Sequence, residues 1–334
     1  MLHYEQKALP PVLGGLVTSA NGVELSSISD SVWEFTCLLT GFNIQVEATL
    51  LKRVAHLIAA APELRLLRLL FSGSTSLEAF LNVLGDCQFS NVTDITLMVY
   101  ESLAPSTVQR LLNAFPNLEK LSGRINDKQE DCRVDANALQ GLAHPAALKT
   151  WTLREFSPSE AVPSITAHIL PRLTQVSALS AIISRTVFDA IFKCIQLNAS
   201  TLTTLDISID RPGRRLPTNL RDLLTFEELP ALETLSLSIG VLGDLDEAVV
   251  PALHALHARL RHLTLRCNTV DRPATVEIGK ALVPHLMDLI PNAPSFRTLR
   301  SLQVTSQFAK RMVHARLLMV CRSRRIHYPH LCSI

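Results

Sequence analysis

The hydrophobic positions of this chain follow two alternating rhythms. One is a short segment spaced aliphatic-x-x-aliphatic-x-aliphatic, whose later positions alternate as in a strand with one buried face. It occurs as Val32-x-x-Phe35-x-Cys37, Leu64-x-x-Leu67-x-Leu69, Val92-x-x-Ile95-x-Leu97 and a weaker Leu118-x-x-Leu121 that runs into Gly123. It continues as Leu148-x-x-Trp151-x-Leu153, Leu173-x-x-Val176-x-Ala178, Leu202-x-x-Leu205-x-Ile207, Leu232-x-x-Leu235-x-Leu237, Leu260-x-x-Leu263-x-Leu265 and Leu299-x-x-Leu302-x-Val304. About ten segments therefore share one template, at intervals of roughly 25 to 32 residues apart from a last one of about 39.

Between the segments the period lengthens to three or four. Leu77, Phe80, Leu81 and Leu84 share a helical face, as do Val108, Leu111, Leu112 and Phe115, and Val187, Ala190, Ile191, Cys194 and Ile195. Thr75 with Glu78 reads as a capping box, and Pro105 suits a first helical position. Prolines in Ala61-Pro62-Glu63-Leu64, Phe115-Pro116-Asn117-Leu118 and Leu229-Pro230-Ala231-Leu232 stop a helix just before a strand. The long last interval, with Ile278, Leu282, Leu286 and Leu289 among four prolines, predicts a longer helix.

A strand followed by a helix cannot bury its apolar edges alone, whereas stacked copies share a core and pair their strands in parallel. Strands pack about 4.8 Å apart and helices about 8 to 10 Å apart, so the stack must curve, with strands inside. The expected fold class is α/β: a right-handed horseshoe solenoid with parallel strands on the concave face and helices on the convex face. Residues 1–31, with the turn signals Pro10-Pro11 and Asn21-Gly22, are expected to form an irregular N-terminal cap, and 32–305 the repeats. In 306–334 a basic amphipathic segment, Phe308 to Arg325, is expected to cap the core through Phe308, Met312, Leu317 and Val320, ahead of a short tail.

Composition narrows the function. The chain has 334 residues, 47% hydrophobic but only 5% aromatic, and its net charge of +2 lacks the strongly basic footprint of a nucleic-acid binder. Seven cysteines without a C-x-x-C pair fit a reducing compartment, so the expected location is cytoplasmic or nuclear. No apolar run approaches the roughly 18 to 20 residues of a bilayer span, and no membrane partner is expected.

Chemistry-bearing motifs are sparse. Phosphate-cradling glycine loops, a G-x-S-x-G elbow and an H-E-x-x-H helix do not occur, so no cofactor and no enzyme activity are expected. His254, His257 and His262 are the nearest to a metal set, but His262 falls on a strand and the other two end a helix, so no metal is expected. Cys37 and Cys194 read as core thiols, and Cys267 lies near a strand end. Arg211, Arg214, Arg215 and Arg272 lie beyond strand ends, where they read as solvated loop charge, and a receptor for a phosphorylated small ligand that used them, or an enzyme of unrecognised type, is the alternative function.

Leu260, Leu263, Leu265 and Asn268 reproduce the L-x-x-L-x-L-x-x-N signature of a leucine-rich repeat. From about Val32 to Val304 the chain resembles the ribonuclease-inhibitor-like class of leucine-rich-repeat proteins. With its Pro-x-Leu entries and varying repeat length it looks most like the repeat regions of fungal F-box leucine-rich-repeat proteins. That resemblance implies the substrate-recognition part of an F-box-type ubiquitin-ligase receptor. Leu9-Pro10-Pro11-Val12-Leu13 is similar to an F-box opening, but the residues after it lack the helical pattern, so ligase scaffold subunits are expected only if an F-box is present.

The expected function is a non-catalytic protein-interaction scaffold. Roughly half of the outward strand positions are Ser or Thr, including Thr152, Ser177, Thr204, Ser236 and Thr264. Against that background stand an apolar group, Leu38, Leu70 and Met98, and a basic group in the same row, Arg124, Arg154 and Arg266. These six residues are the candidate partner site, suited to an acidic peptide segment with a hydrophobic anchor.

Overall fold

Each strand takes its residues from the alternating half of a segment, and each helix from the three-to-four spacing that follows. The computed structural model describes residues 2–3, 34–39, 58, 61–71, 74–85, 87–100, 103, 105–126, 147–156, 165–183, 187–209, 229–239, 249–255, 260–267, 272–305 and 311–328. They fall into two compact units, Met1–Gln175 and Val176–Ile334.

In the first unit β1 (Leu2–His3) pairs antiparallel with β2 (Glu34–Leu39). From β2 the strands run parallel in chain order through β3 (Leu66–Phe71), β4 (Asp94–Val99), β5 (Lys120–Asn126) and β6 (Thr150–Phe156). Helix α1 (Ser74–Leu84) follows β3, α2 (Pro105–Ala114) follows β4, and the short α3 (Ile165–Ile169) follows β6. Leu67, Leu69 and Phe71 are buried while Leu66, Arg68 and Leu70 between them are half-buried, the alternation of a sheet with one face on the core. Leu77, Phe80, Leu81 and Leu84 of α1 supply the helical side of that core.

The second unit holds five parallel strands: β7 (Ala178–Ile183), β8 (Thr204–Ile209), β9 (Thr234–Ile239), β10 (His262–Cys267) and β11 (Ser301–Thr305). Its helices are α4 (Phe188–Leu197), α5 (Val250–Ala255), α6 (Arg272–Asn292) and α7 (Arg311–Ser323). The 21-residue α6 is the longer helix expected in the last interval, with Pro284 and Pro291 inside it. The architecture is therefore α/β with parallel strands in sequence order. Among the described residues no helix is long and apolar enough to cross a membrane.

Backbone and side-chain bonds tie each strand-helix unit to the next. At the start of β4, β5, β6 and β8 to β11, two consecutive N–H groups donate to one carbonyl of the preceding repeat, as Thr93 and Asp94 do to Arg65 and Arg300 and Ser301 do to Arg261. The residue before the opening aliphatic adds a side-chain bond. Asn91 Nδ2 donates to the Leu64 carbonyl at 3.2 Å, Thr201 Oγ1 to that of Val176 at 3.0 Å and Thr298 Oγ1 to that of Leu260 at 3.0 Å.

Those acceptors correct the expected phase at one strand. Leu173 makes the same tight turn as other opening aliphatics, its N–H bonding Leu170 O as that of Leu64 bonds Ala61 O. The ladder position nevertheless belongs to Val176, and the strand begins at Ala178 with Leu179 and Ala181 buried. Three residues are inserted between turn and strand, and an odd shift exchanges inward for outward positions. Buried Asn198 fixes the new start: its Oδ1 accepts the Val176 N–H at 2.7 Å while its Nδ2 donates to Cys194 O at 2.8 Å. Ser177 therefore precedes β7, and Ser180 occupies the place expected for it.

Smaller differences concern caps. Helix α1 starts at Ser74, one residue ahead of Thr75, and Glu78 accepts a hydrogen bond from Thr107 Oγ1 of α2 at 3.1 Å. At the C-terminus, Leu317 and Cys321 of α7 are buried and Val320 is half-buried, whereas the side chains of Phe308 and Met312 lie outside the described residues. Of the expected cap at residues 1–31, only Leu2–His3 is described.

Helix α7 ends in a Schellman turn, with Ile326 N–H bonded to Cys321 O and Arg325 N–H to Arg322 O. Its left-handed position is held by Arg325 at φ 58°, where glycine would carry no Cβ penalty. Arg325→Gly is expected to raise stability by about 1 kcal/mol, read as a higher denaturation midpoint. An unchanged or lower midpoint would contradict this geometry.

Candidate functional site

Strand pleating sends every second side chain away from the core, and in-register pairing lines those side chains into rows about 4.8 Å apart from strand to strand. In the first unit one row reads Leu38, Leu70, Met98, Arg124 and Arg154, each paired with the next across β2 to β6. Five of the six expected site residues thus share one continuous row. Leu70 and Met98 are half-buried and Arg124 is exposed; the side chains of Leu38 and Arg154 lie outside the described residues.

The neighbouring row is Thr36, Arg68, Thr96, Ser122 and Thr152. Its hydroxyls bond within the sheet: Thr96 Oγ1 and Ser122 Oγ are 2.9 Å apart, and Ser122 Oγ also donates to Ile95 O at 3.3 Å. Half-buried Arg68 interrupts this row between the two apolar positions, a cation that the sequence reading did not select. It sits among leucines, and its outward place follows only from the parity of β3. In the row beyond, Asp94 and Lys120 approach to 4.0 Å.

Arg266, the sixth expected residue, lies in the second unit on β10, paired with Ser238 and Thr305. One of its guanidinium nitrogens lies 3.4 Å from each carboxylate oxygen of Asp206, which also accepts the Ser180 hydroxyl at 3.2 Å. Asp206 pairs with Ser236 and Arg266 with Ser238, so the arginine reaches over β9 between two serines, where a larger side chain would stand in its way. Both serines are buried, and Ser236 Oγ has no hydrogen-bond partner among the described residues. An ion pair within the chain therefore engages the Arg266 charge. The signal for it was Asp206 itself, an acid in a row otherwise made of Ser180, Ser236, Thr264 and Gln303. Thr204, read with that hydroxyl set, stands one row away, paired with Ala178 and Thr234.

The remaining chemical candidates are dispersed. His254 is exposed on α5, 4.0 Å from the Asp288 carboxylate, and His262 is exposed on β10, while His257 lies outside the described residues. Among the described residues no group of three or more His, Cys, Asp or Glu is placed to hold a metal. Cys194 is buried, and burial pushes its thiol up to about 12 against the lowering effect of the Asn198 hydrogen bond. Burial likewise raises Cys321 to about 11, so neither supplies a thiolate near neutral pH. Arg211, Arg214 and Arg215, and the side chains of Arg272, Cys37 and Cys267, lie outside the described residues.

No family model matches the chain, and comparison with curated proteins finds no match. Among solved structures it is similar to a protein from Bacteroides fragilis at 12% identity and a TM-score of 0.44, covering 82% of this chain and 67% of that one. Likeness at that distance carries no functional argument.

Proposed function

We propose that the chain is a leucine-rich-repeat solenoid serving as a non-catalytic protein-interaction scaffold. The partner is an acidic protein segment with a hydrophobic anchor, held on the outward face of the first unit. The observation that carries this reading is the continuous Leu70–Met98–Arg124 row, which sets half-buried apolar groups one strand away from an exposed guanidinium. Apolar side chains left half-buried on a sheet face opposite the core keep part of their area in water, and an anchor laid across them removes it. Arg124, with Arg154 next in the row, then offers planar donors to carboxylates.

The substrate-receptor version of this reading rests on the resemblance to fungal F-box proteins and adds ligase scaffold subunits as partners. Affinity capture followed by mass spectrometry tests it. Scaffold subunits recovered with the chain support that version, and capture of other partners alone removes it. For the site itself, a captured partner should bind Leu70→Asp and Arg124→Glu at least about tenfold more weakly than wild type, because each leaves a desolvated or reversed charge in the contact. Thr204→Ala, in the second unit, should bind unchanged. Wild-type affinity in the first two variants, with normal folding, would move the site away from this row.

A further inference from the structure

The last 46 residues of the chain contain eight Lys or Arg and no Asp or Glu, whereas the rest holds 24 basic against 30 acidic residues. A net charge of +2 conceals this separation. The second unit gathers part of the basic excess in one place. His327 bridges to Ser301, with His327 N–H bonded to Arg300 O and Leu302 N–H to His327 O. That bridge brings the chain after the Arg324–Arg325 turn beside Arg300, and Arg297 lies three residues before Arg300 in the Pro294–Thr298 turn that leads into β11. Arg322, in the last turn of α7, continues the group.

All five arginines and His327 are exposed, and none of the five is ion-paired to a described residue. Two other arginines of the unit do have acidic partners, Arg261 with Glu233 at 3.3 Å and Arg266 with Asp206 at 3.4 Å. Like charges gathered on one surface oppose folding. Arg325 moreover occupies a left-handed position that glycine would fill without strain. Met319, three residues before Arg322 and on the same helical side, is 72% exposed, more than any other large hydrophobic residue described.

We infer that Arg297, Arg300, Arg322, Arg324, Arg325 and Met319 form a peripheral docking surface for an anionic lipid bilayer. Guanidinium forks fit headgroup phosphates, and a flexible thioether side chain beside them can enter the boundary between headgroups and acyl chains. A duplex would draw on the same arginines but offers no place for an exposed methionine, and no exposed Phe, Tyr or Trp stands among these described residues for single-stranded bases to stack on. An acidic peptide would leave Met319 unused in the same way. Such peripheral contact needs no spanning helix, and it is independent of the partner row on the first unit.

Flotation of the full chain with vesicles tests the proposal, using phosphatidylcholine alone or mixed about 7:3 with phosphatidylserine at about 0.15 M salt. Wild type should float with the mixed vesicles and not with the neutral ones. Each arginine near an anionic surface contributes about fivefold, so Arg300→Glu with Arg324→Glu should weaken binding at least about 100-fold. Met319→Gln should weaken it several-fold. Arg325→Gly separates stability from binding, since it should melt higher yet bind about fivefold more weakly. Equal flotation with neutral vesicles, undiminished binding by the folded double variant, or equal affinity for a soluble polyglutamate peptide or an RNA duplex would each overturn the proposal.

Discussion

Gly123→Ala is expected to cost about 4 kcal/mol or more, at the far end of what single substitutions do. Gly123 has φ +131°, and a Cβ built on it would lie 1.7 Å from the carbonyl oxygen of Leu97 and under 3 Å from that residue's carbonyl carbon and nitrogen. Every clashing atom is backbone of β4, so no side chain can rotate away. The strands must separate where Leu97 pairs with Gly123, between the pairs Ile95 with Leu121 and Val99 with Ile125, four residues buried in the core. Gly85 provides the control. Its φ of +59° is also left-handed, but nothing lies within 4 Å of the added Cβ, so Gly85→Ala should lose only about 1 kcal/mol. Urea midpoints that coincide for the two variants would mean that β4 and β5 do not approach this closely.

Leu235→Ala is expected to cost about 2 to 5 kcal/mol, whereas Thr234→Ala beside it should stay within about 0.5 kcal/mol of wild type. Leu235 is fully buried in β9 between its register partners Leu205 and Leu263, themselves buried, so truncation leaves a cavity that neighbours held by a ladder cannot close. Thr234 is half-buried on the opposite side of the strand. Similar shifts in the two denaturation curves would invert the assignment of inward and outward positions.

The same parity explains which parts of the site were legible beforehand. Leu38, Leu70, Met98, Arg124 and Arg154 emerged as a row because their segments begin at unambiguous aliphatic positions and the row needs only equal counting in each strand. Near Leu173 counting failed: Leu173-x-x-Val176-x-Ala178 and Val176-x-x-Leu179-x-Ala181 both satisfy the template. What separates them is the bond from Thr201 to the Val176 carbonyl and the clasp of Asn198, contacts with residues more than 20 positions later.

By itself the sequence determined the alternation of strands and helices, the parallel order and most of the core, because burial follows from a period that repeats with each unit. It also marked Gly123 as an anomaly in an otherwise aliphatic position, without disclosing that the β4 backbone occupies the space of the missing side chain. Tertiary structure alone decided how a charge is partnered. Arg266 was counted into one basic group with Arg124 and Arg154, yet it is drawn across two serines to Asp206, two strands away. The arginines around residue 300 and those after residue 321 meet through a backbone bridge that no periodicity encodes. Side-chain period is local and can be counted along the chain, whereas the partner of a charge depends on which distant segments the fold brings within reach.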